Sequence, residues 1–455
     1  MAKSIAVALF TRDLRVHDNP VLTATAEADT VIPLFVLDSA IAAYAVPNRA
    51  HFLAESLTDL DASLRDLGAG LVVRRGRVVQ EVRALAAEVD ATVVHIASDV
   101  SGYAQRRREA LATALSADGR ELCVHDAVIT VVTPGAITPT SGDHFKVFTP
   151  YHRHWQTVHK RDPLSPPSHL TSLRRLPTGS VPEAGELTDA NPSPDVMGGG
   201  EQQGRRRLDA WLKQIGDYGD EHDTLANDGT SRLSPYLHFG CLSATELVHR
   251  AGTGSEGARA FVRQVAWRDF HHQTLAARPA AAREDYRTHH DQWRHDEEDL
   301  EAWRRGRTGY PIVDAGMRQL LQEGWLHNRA RLIVGSFLTK TLYLDWRLGA
   351  RHFLDLLVDG DIANNQMNWQ WVAGTGTDTR PNRVLNTLTQ AKRFDPDGQY
   401  VRRYVPELAD APGLDGSRIH EPWQLDAADR RKLNYPEPIV DADWGNQRFR
   451  AARAK

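Results

Sequence analysis

The stretch DGDIANNQMNWQW at 359–371 crowds carboxylates and amides against two indoles. Carboxylates accept hydrogen bonds, amides both give and accept them, and indoles offer large flat surfaces. Buried amides such as Asn364 and Asn365 must find partners. A flat heterocycle with a polar edge would satisfy them together with Asp359 and Asp361, with Trp369 and Trp371 packed nearby. Core packing of the two tryptophans is the competing reading.

Three further segments combine residues that could do chemistry. TSRLSPYLHFG (230–240) sets Thr230, Ser231, Arg232, Leu233 and Ser234 at a Pro-Tyr-Leu helix start. Hydroxyls, backbone N–H groups and a helix N-terminus suit a phosphate; on this segment alone an ordinary capped helix is the better reading. In VAWRDFHHQ (265–273), Trp267 can stack on a flat ring while Arg268 holds a phosphate. An amphipathic helix with Trp267 facing the core fits equally well. His271 and His272 point in different directions on a helix, so no metal site is expected. GWLHNRARLIVGSFLTK (324–340) carries Arg329 and Arg331 on an otherwise apolar helix. A buried arginine demands a carboxylate or phosphate, and DGD at 359–361 offers the former; a purely structural ion pair meets the same demand.

The elements that must position these residues differ between the two halves of the chain. SIAVALF (4–10), TVIPLFVLD (30–38), LVVRRG (71–76), ATVVHIA (91–97) and ELCVHDA (121–127) are short, apolar and β-branched, as buried parallel strands are. Between them, Leu53, Leu57, Leu60, Leu64 and Leu67 mark one face of a helix. The alternation predicts a doubly wound, Rossmann-like α/β domain over 1–130, with ligands near the strand C-termini. No GxGxxG follows the first strand and no GxxxxGK[ST] occurs, which disfavours a dehydrogenase or a P-loop NTPase. A linker is expected over 131–204, its stretch from Arg161 to Gly204 rich in Pro, Ser and Gly. Helical periodicity then predicts an all-helical domain over 205–455.

With 455 residues the chain exceeds what one core usually organises. A net charge of −4 gives no global positive field, although a local basic patch remains compatible with it. Only Cys123 and Cys241 occur, without CxxC spacing, so neither a disulfide framework nor a thiolate metal site is expected. The N-terminal apolar run is broken by charge after Phe10, and no stretch approaches a membrane span. A cytosolic protein, free of membrane, is expected.

The chain resembles the DNA photolyase/cryptochrome family, in particular its class I members of actinobacterial type that repair cyclobutane pyrimidine dimers. FTRDLRVHDNPVL, TSRLSPYLHFG, WRDF, TGYPIVDAGMRQL, GWLHNRAR, DGDIANNQMNWQW and GTGTDTRPNR carry the resemblance in order along nearly the whole chain. It implies FAD, active as FADH⁻, bound in a folded shape in the helical domain. Carried over by position, Tyr218 and Thr230 to Ser234 meet its phosphates and Arg268 lines its pocket. Arg331 pairs with Asp359 beside the flavin, Gly360 links to Asp361 at the flavin edge, and Asn365 faces N5. Trp369, Trp346 and Trp293 form an electron relay to the surface, while Trp371 and Trp267 line the cavity for a flipped lesion. Gln264, Asn328, Arg329, Arg383 and Gln390 contact the lesion or DNA. The implied partner is UV-damaged DNA, bound without regard to sequence by a monomer needing no protein partner.

The pattern is departed from in two places. Gln264 stands where dimer photolyases usually carry a glutamate, a feature shared with photolyases acting on (6-4) photoproducts. The paired histidines of that class are missing, because Asn328 and Leu332 occupy their positions. The cyclobutane dimer is therefore the expected substrate. Arg106 and Arg107 replace the Asn-Glu pair of folate-binding members. This disfavours methenyltetrahydrofolate and suggests 8-hydroxy-5-deazaflavin near Phe35 to Asp38, with an empty antenna site as the alternative. A signalling cryptochrome, using the same flavin and tryptophans, is the competing function.

Overall fold

The computed structural model describes residues 4–41, 46–173, 175–227 and 229–454. The five apolar runs form parallel strands: β1 (Ile5–Phe10), β2 (Thr30–Asp38), β3 (Val72–Gly76), β4 (Val93–Ala97) and β5 (Glu121–His125). Their order is β3-β2-β1-β4-β5, with Phe10 beside Phe35 and Ala97 beside His125. Alternate side chains of β1 and β2 on one face, Val7, Leu9, Ile32 and Leu34, are fully buried. Ala6, Ala8, Phe10 and Val31 are buried on the other, which is why these strands read as continuous apolar runs. Strand order reverses between β1 and β4, so a crevice opens beyond their carboxyl ends.

The leucine-rich helix spans Pro47–Asp66. Leu57, Leu60 and Leu64 are buried as expected, but Leu53 is only half-buried because Phe52, Ala54 and Ser56 share the inward face. Leu67 lies at the C-cap rather than inside the helix.

Two compact units make up the chain. The first comprises Met1–Pro192, Met197–Gly216 and Ser231–Pro279; the second comprises Ser193–Val196, Asp217–Thr230 and Ala280–Lys455. In the first, the Pro/Ser-rich stretch packs onto the sheet layer: Val31 N–H donates to Thr171 O at 2.8 Å and Val73 N–H to Thr178 O at 2.7 Å. The long helix Glu256–Ala277 is tied down by Asp269, which accepts from the N–H groups of Val131 and Val132 and from the Trp155 indole. Burial pushes the Asp269 carboxyl up to about 6 against these hydrogen bonds.

The second unit is helical. Its helices Pro311–Glu323, Asn328–Ser336, Trp346–Leu356 and Ile362–Ala373 pack around Trp303, Phe337, Trp346 and Trp369. His327, Asp345 and Asp361 cap the last three by accepting first-turn backbone N–H groups. A π-helical turn, Phe337–Thr341, interrupts the path from the Asn328 helix to Trp346. Among the described residues no helix is long and apolar enough to cross a membrane, and no cluster of three or more His, Cys, Asp or Glu suits a metal ion.

Candidate functional site

In the second unit, Asp361 Oδ1 accepts from the Asn364 N–H and from the Asn364 side chain, both at 2.8 Å. Asp359 immediately precedes Gly360, in a tight turn closed by Asp361 N–H donating to Asp359 O at 2.6 Å. Arg331 Nη2 reaches both Asp359 oxygens, at 2.8 and 3.1 Å, while its Nε donates to Leu326 O. The partner that the apolar arginine helix demanded is therefore Asp359. The pair is net neutral, with Asp359 buried and Arg331 only half-buried.

The remaining amides of the stretch, Gln366, Asn368 and Gln370, bond to backbone carbonyls. Gln366 donates to Ala282 O at 2.6 Å; Gln370 donates to Ala281 O at 2.7 Å and accepts from Tyr286 N–H at 2.7 Å. Asn368 stays on its own helix, donating to Asn364 O. These bonds pin the 281–286 segment to the helix. The polar edge is left to Asp359, Asp361 and Asn365. The Asn365 amide nitrogen is held by Ala350 O at 3.0 Å and Gln366 Oε1 at 2.9 Å, which fixes the side chain's orientation.

Trp369 follows Asn365 by one helical turn and shares its face. Its ring stands edge-on to Phe353 at 4.9 Å and to Trp303 at 6.0 Å. Gly349 makes room for it, since a Cβ there would lie 2.3 Å from the indole. Trp346 is fully buried; its Nε1 donates to Asp285 Oδ1 at 2.8 Å, and the Arg347 guanidinium lies over its ring. Trp293 is half-buried against Tyr343, at 5.0 Å. Trp371 is half-buried, with the exposed Arg383 guanidinium 5.3 Å above its ring.

Other expected contacts in this unit vary in availability. Tyr218 is buried and its phenol is pushed up by that burial. Thr230 Oγ1 and Gln390 Oε1 are buried and lack hydrogen-bond partners among the described residues. Asn328 is exposed at the start of its helix. Arg329 is committed to Asp223 through two bonds, at 2.6 and 3.2 Å, and covers Phe394.

In the first unit, Ser231 Oγ accepts from Leu233 N–H at 3.3 Å, and Arg232 adopts φ +50°, a left-handed conformation costly for a non-glycine residue. Leu233 precedes the Ser234–Phe239 helix. Arg268 is buried and donates to the carbonyls of Ile129 and Leu237, at 2.6 and 3.3 Å. Gln264 is exposed one turn earlier. Trp267 is half-buried and stacks on Phe148, ring centres 3.7 Å apart and planes within 7°. Neither open reading of this indole suffices, because one face packs while part of the ring stays accessible.

The crevice beyond β1 and β4 holds a second polar group. Arg12 meets Asp99 at 3.3 Å. Thr11 Oγ1, Asp13 Oδ2 and Arg107 Nε are buried there without hydrogen-bond partners among the described residues. Burial lowers the Arg107 pKa, against the pull of Asp99, Asp38 and Asp13.

Two residues with evident roles escape a reading of the sequence. Asp285 lies in a stretch without periodicity, and nothing local marks it as the partner of Trp346. Lys340 is 2% exposed and donates to Pro381 O and Arg383 O; a lysine inside the apolar SFLTK run was the available signal.

Known proteins agree with this architecture. Residues 6–168 match the family model described as DNA photolyase, and 261–455 match that of the FAD binding domain of DNA photolyase. The chain belongs to the DNA photolyase family. It is 57% identical over 99% of both chains to a deoxyribodipyrimidine photo-lyase of Streptomyces griseus. Among solved structures, a bacterial class III photolyase from Agrobacterium tumefaciens superposes with a TM-score of 0.92 at 32% identity, covering 100% of this chain and 98% of that one. A Synechocystis cryptochrome superposes at 0.89 and 27% identity, covering 99% of both.

Proposed function

We propose that this protein uses light to split cyclobutane pyrimidine dimers in DNA, as a deoxyribodipyrimidine photo-lyase. The observation that carries the reading is the Arg331–Asp359 pair, set beside Asp361 and Asn365 on a helix whose next turn bears the buried Trp369. FAD, when bound and reduced, supplies the electron that light excites. The residues of the second unit fit such a group: Thr230 Oγ1 is a buried hydroxyl awaiting an acceptor or donor, and Tyr218 lies close in sequence on a short helix. Ser231 to Ser234 and Arg268 are proposed contacts from the family resemblance.

The chain's own residues orient, insulate and conduct. Asp359 and Arg331 cancel each other, so they hold a ring edge without imposing a net charge. Asn365 is a neutral amide, which tolerates a change of ring protonation better than a fixed charge would. Trp369, Trp346 and Trp293 are proposed from the family resemblance to pass oxidising equivalents outward, the first two shielded from water and the last half-buried. Asp285 favours positive charge on Trp346 by accepting from its indole N–H.

In the second unit Trp371 is proposed to pack against the flipped lesion, with Asn328 and Gln390 as polar contacts; Trp267 and Gln264 are proposed lesion contacts from the family resemblance alone. Flipping costs a few kcal/mol, least for a poorly stacked lesion, which aids discrimination of damage. Arg383 and Arg329 would position the backbone without reading sequence. Arg329 must first release Asp223.

The β1/β4 crevice is proposed as an antenna site. The orphaned atoms of Thr11, Asp13 and Arg107 fit a polar aromatic ligand, and the resemblance favours 8-hydroxy-5-deazaflavin. The protein is proposed to act as a monomer in the cytoplasm.

The test is to illuminate prereduced protein with an oligonucleotide bearing one thymine dimer and to count the dimers left. Loss in light alone supports repair. A flavin-loaded protein leaving every dimer intact would favour the signalling reading that the cryptochrome likeness keeps in play.

A further inference from the structure

Lys340 is fully enclosed in the π-helical turn Phe337–Thr341. Its ammonium donates to Pro381 O at 3.0 Å and to Arg383 O at 2.5 Å, and it lies 5.3 Å from the Phe449 ring centre. A buried ammonium satisfied by two carbonyls is an expensive way to hold a surface turn, since hydrophobic packing could secure the helix by itself. What it holds is informative. Arg383 projects from that turn into solvent with its guanidinium over Trp371, and a shallow pocket is lined by Ser336, Lys340, Trp371, Asp378 and Arg383. π-Helical turns cluster where function needs a side chain placed against the helical repeat.

We propose that Lys340 is a positioning residue for DNA: it clamps the turn at 381–383 so that Arg383 stands over Trp371, and the clamp loosens when the lysine is charged. This rests on the reading that Arg383 and Trp371 meet DNA. Three charged groups face the ammonium. Asp378 from the same turn favours its protonation, whereas Arg383 and Arg453, the latter from the C-terminal helix, oppose it. Burial outweighs them all and brings the Lys340 pKa down to about 7. A neutral amine still has two N–H groups for the two carbonyls, whereas the charged form is the one that burial penalises. The clamp is therefore firm above neutrality and slackens below it, because protonation favours release of the side chain to water.

The test compares dark binding of a dimer-bearing duplex from pH 6 to 8.5 by the flavin-loaded wild type, Lys340→Arg and Arg383→Ala. The wild type should gain affinity several-fold as pH rises, with a midpoint near 7. Lys340→Arg, charged throughout, should lack that step, and Arg383→Ala should bind weakly with no step, because Lys340 acts through Arg383. Equal pH profiles for wild type and Lys340→Arg overturn the proposal. So does a step that survives in Arg383→Ala, which would make Lys340 a direct charge rather than a clamp. If Lys340→Arg does not fold, the wild type and Arg383→Ala decide alone: a flat wild-type profile or a shared step refutes it. Light-driven dimer loss is followed in the same wild-type samples. Its absence strikes the repair reading and leaves the pH comparison standing.

Discussion

Asp285 accepts a hydrogen bond from the indole N–H of Trp346 at 2.8 Å, in a place where the indole has no access to water. Arg347 donates to the same Asp285 oxygen at 2.9 Å and covers the ring, so its charge opposes what the carboxylate favours. The carboxylate has the advantage of direct contact with the N–H. Hydrogen bonds to charged groups contribute about 1.5–3 kcal/mol. Asp285→Asn should therefore slow photoreduction of oxidised flavin by about tenfold or more, since each 1.4 kcal/mol is a factor of ten. Bleaching of the flavin band under constant light measures this; an unchanged rate would remove Trp346 from the path.

Trp369→Phe should abolish most photoreduction and leave repair by chemically prereduced protein largely intact. Parallel assays of the two activities separate the roles. If repair by prereduced protein collapses as well, Trp369 does more than relay electrons.

Gly349→Ala tests the seat of that indole. The added Cβ would fall 2.3 Å from Trp369 and 2.6 Å from Leu338, so one of them must move. Overpacking of this kind costs about 1–3 kcal/mol. Thermal unfolding should shift down by several degrees and photoreduction should slow with it. A variant as stable as the wild type would show that the helix pair has slack there.

These placements were unevenly legible in the sequence. β1 and β2 could be read because burial on both faces leaves uninterrupted apolar runs, β3 to β5 because their short β-branched segments alternate with helices, and the Arg331–Asp359 pair because a cation in an apolar helix must find an anion. The helix at Pro47–Asp66 was legible by its leucines, but its inward face also includes Phe52 and Ala54, which leucine spacing does not reveal. The partners of Gln366 and Gln370 were not legible, because which backbone carbonyl lies opposite a glutamine depends on tertiary packing. The same holds for Phe148 against Trp267 and for Asp285 against Trp346, whose partners come from distant segments without a periodic signature.

Lys340 gives the stability curve a defined direction with pH. It titrates near 7 in the folded chain and near its ordinary 10.5 when unfolded. Between these values the unfolded chain binds more protons, so folding is favoured as pH rises. The contribution is fully present above 10.5 and is lost as pH falls through 7. Lys340→Met removes it; the urea midpoint of the wild type should gain on the variant's from pH 7 to 10. A constant difference would mean that the lysine titrates normally.

Gln264 is exposed on the same helix as Trp267 and can both donate and accept, but it offers no charge. Gln264→Glu should raise dimer repair or leave it unchanged, measured as dimers lost per absorbed photon. A large loss would show that the lesion is held differently from the arrangement proposed.

The central claim is that a reduced flavin in the helical unit delivers the electron that splits the dimer. The action spectrum of dimer loss tests it most directly, recorded on prereduced protein with a single-dimer oligonucleotide. Repair should vanish in the dark and follow the absorption of reduced flavin, with an added band if the β1/β4 crevice holds an antenna. Dimer loss independent of wavelength, or none at any wavelength from flavin-loaded protein, would contradict it.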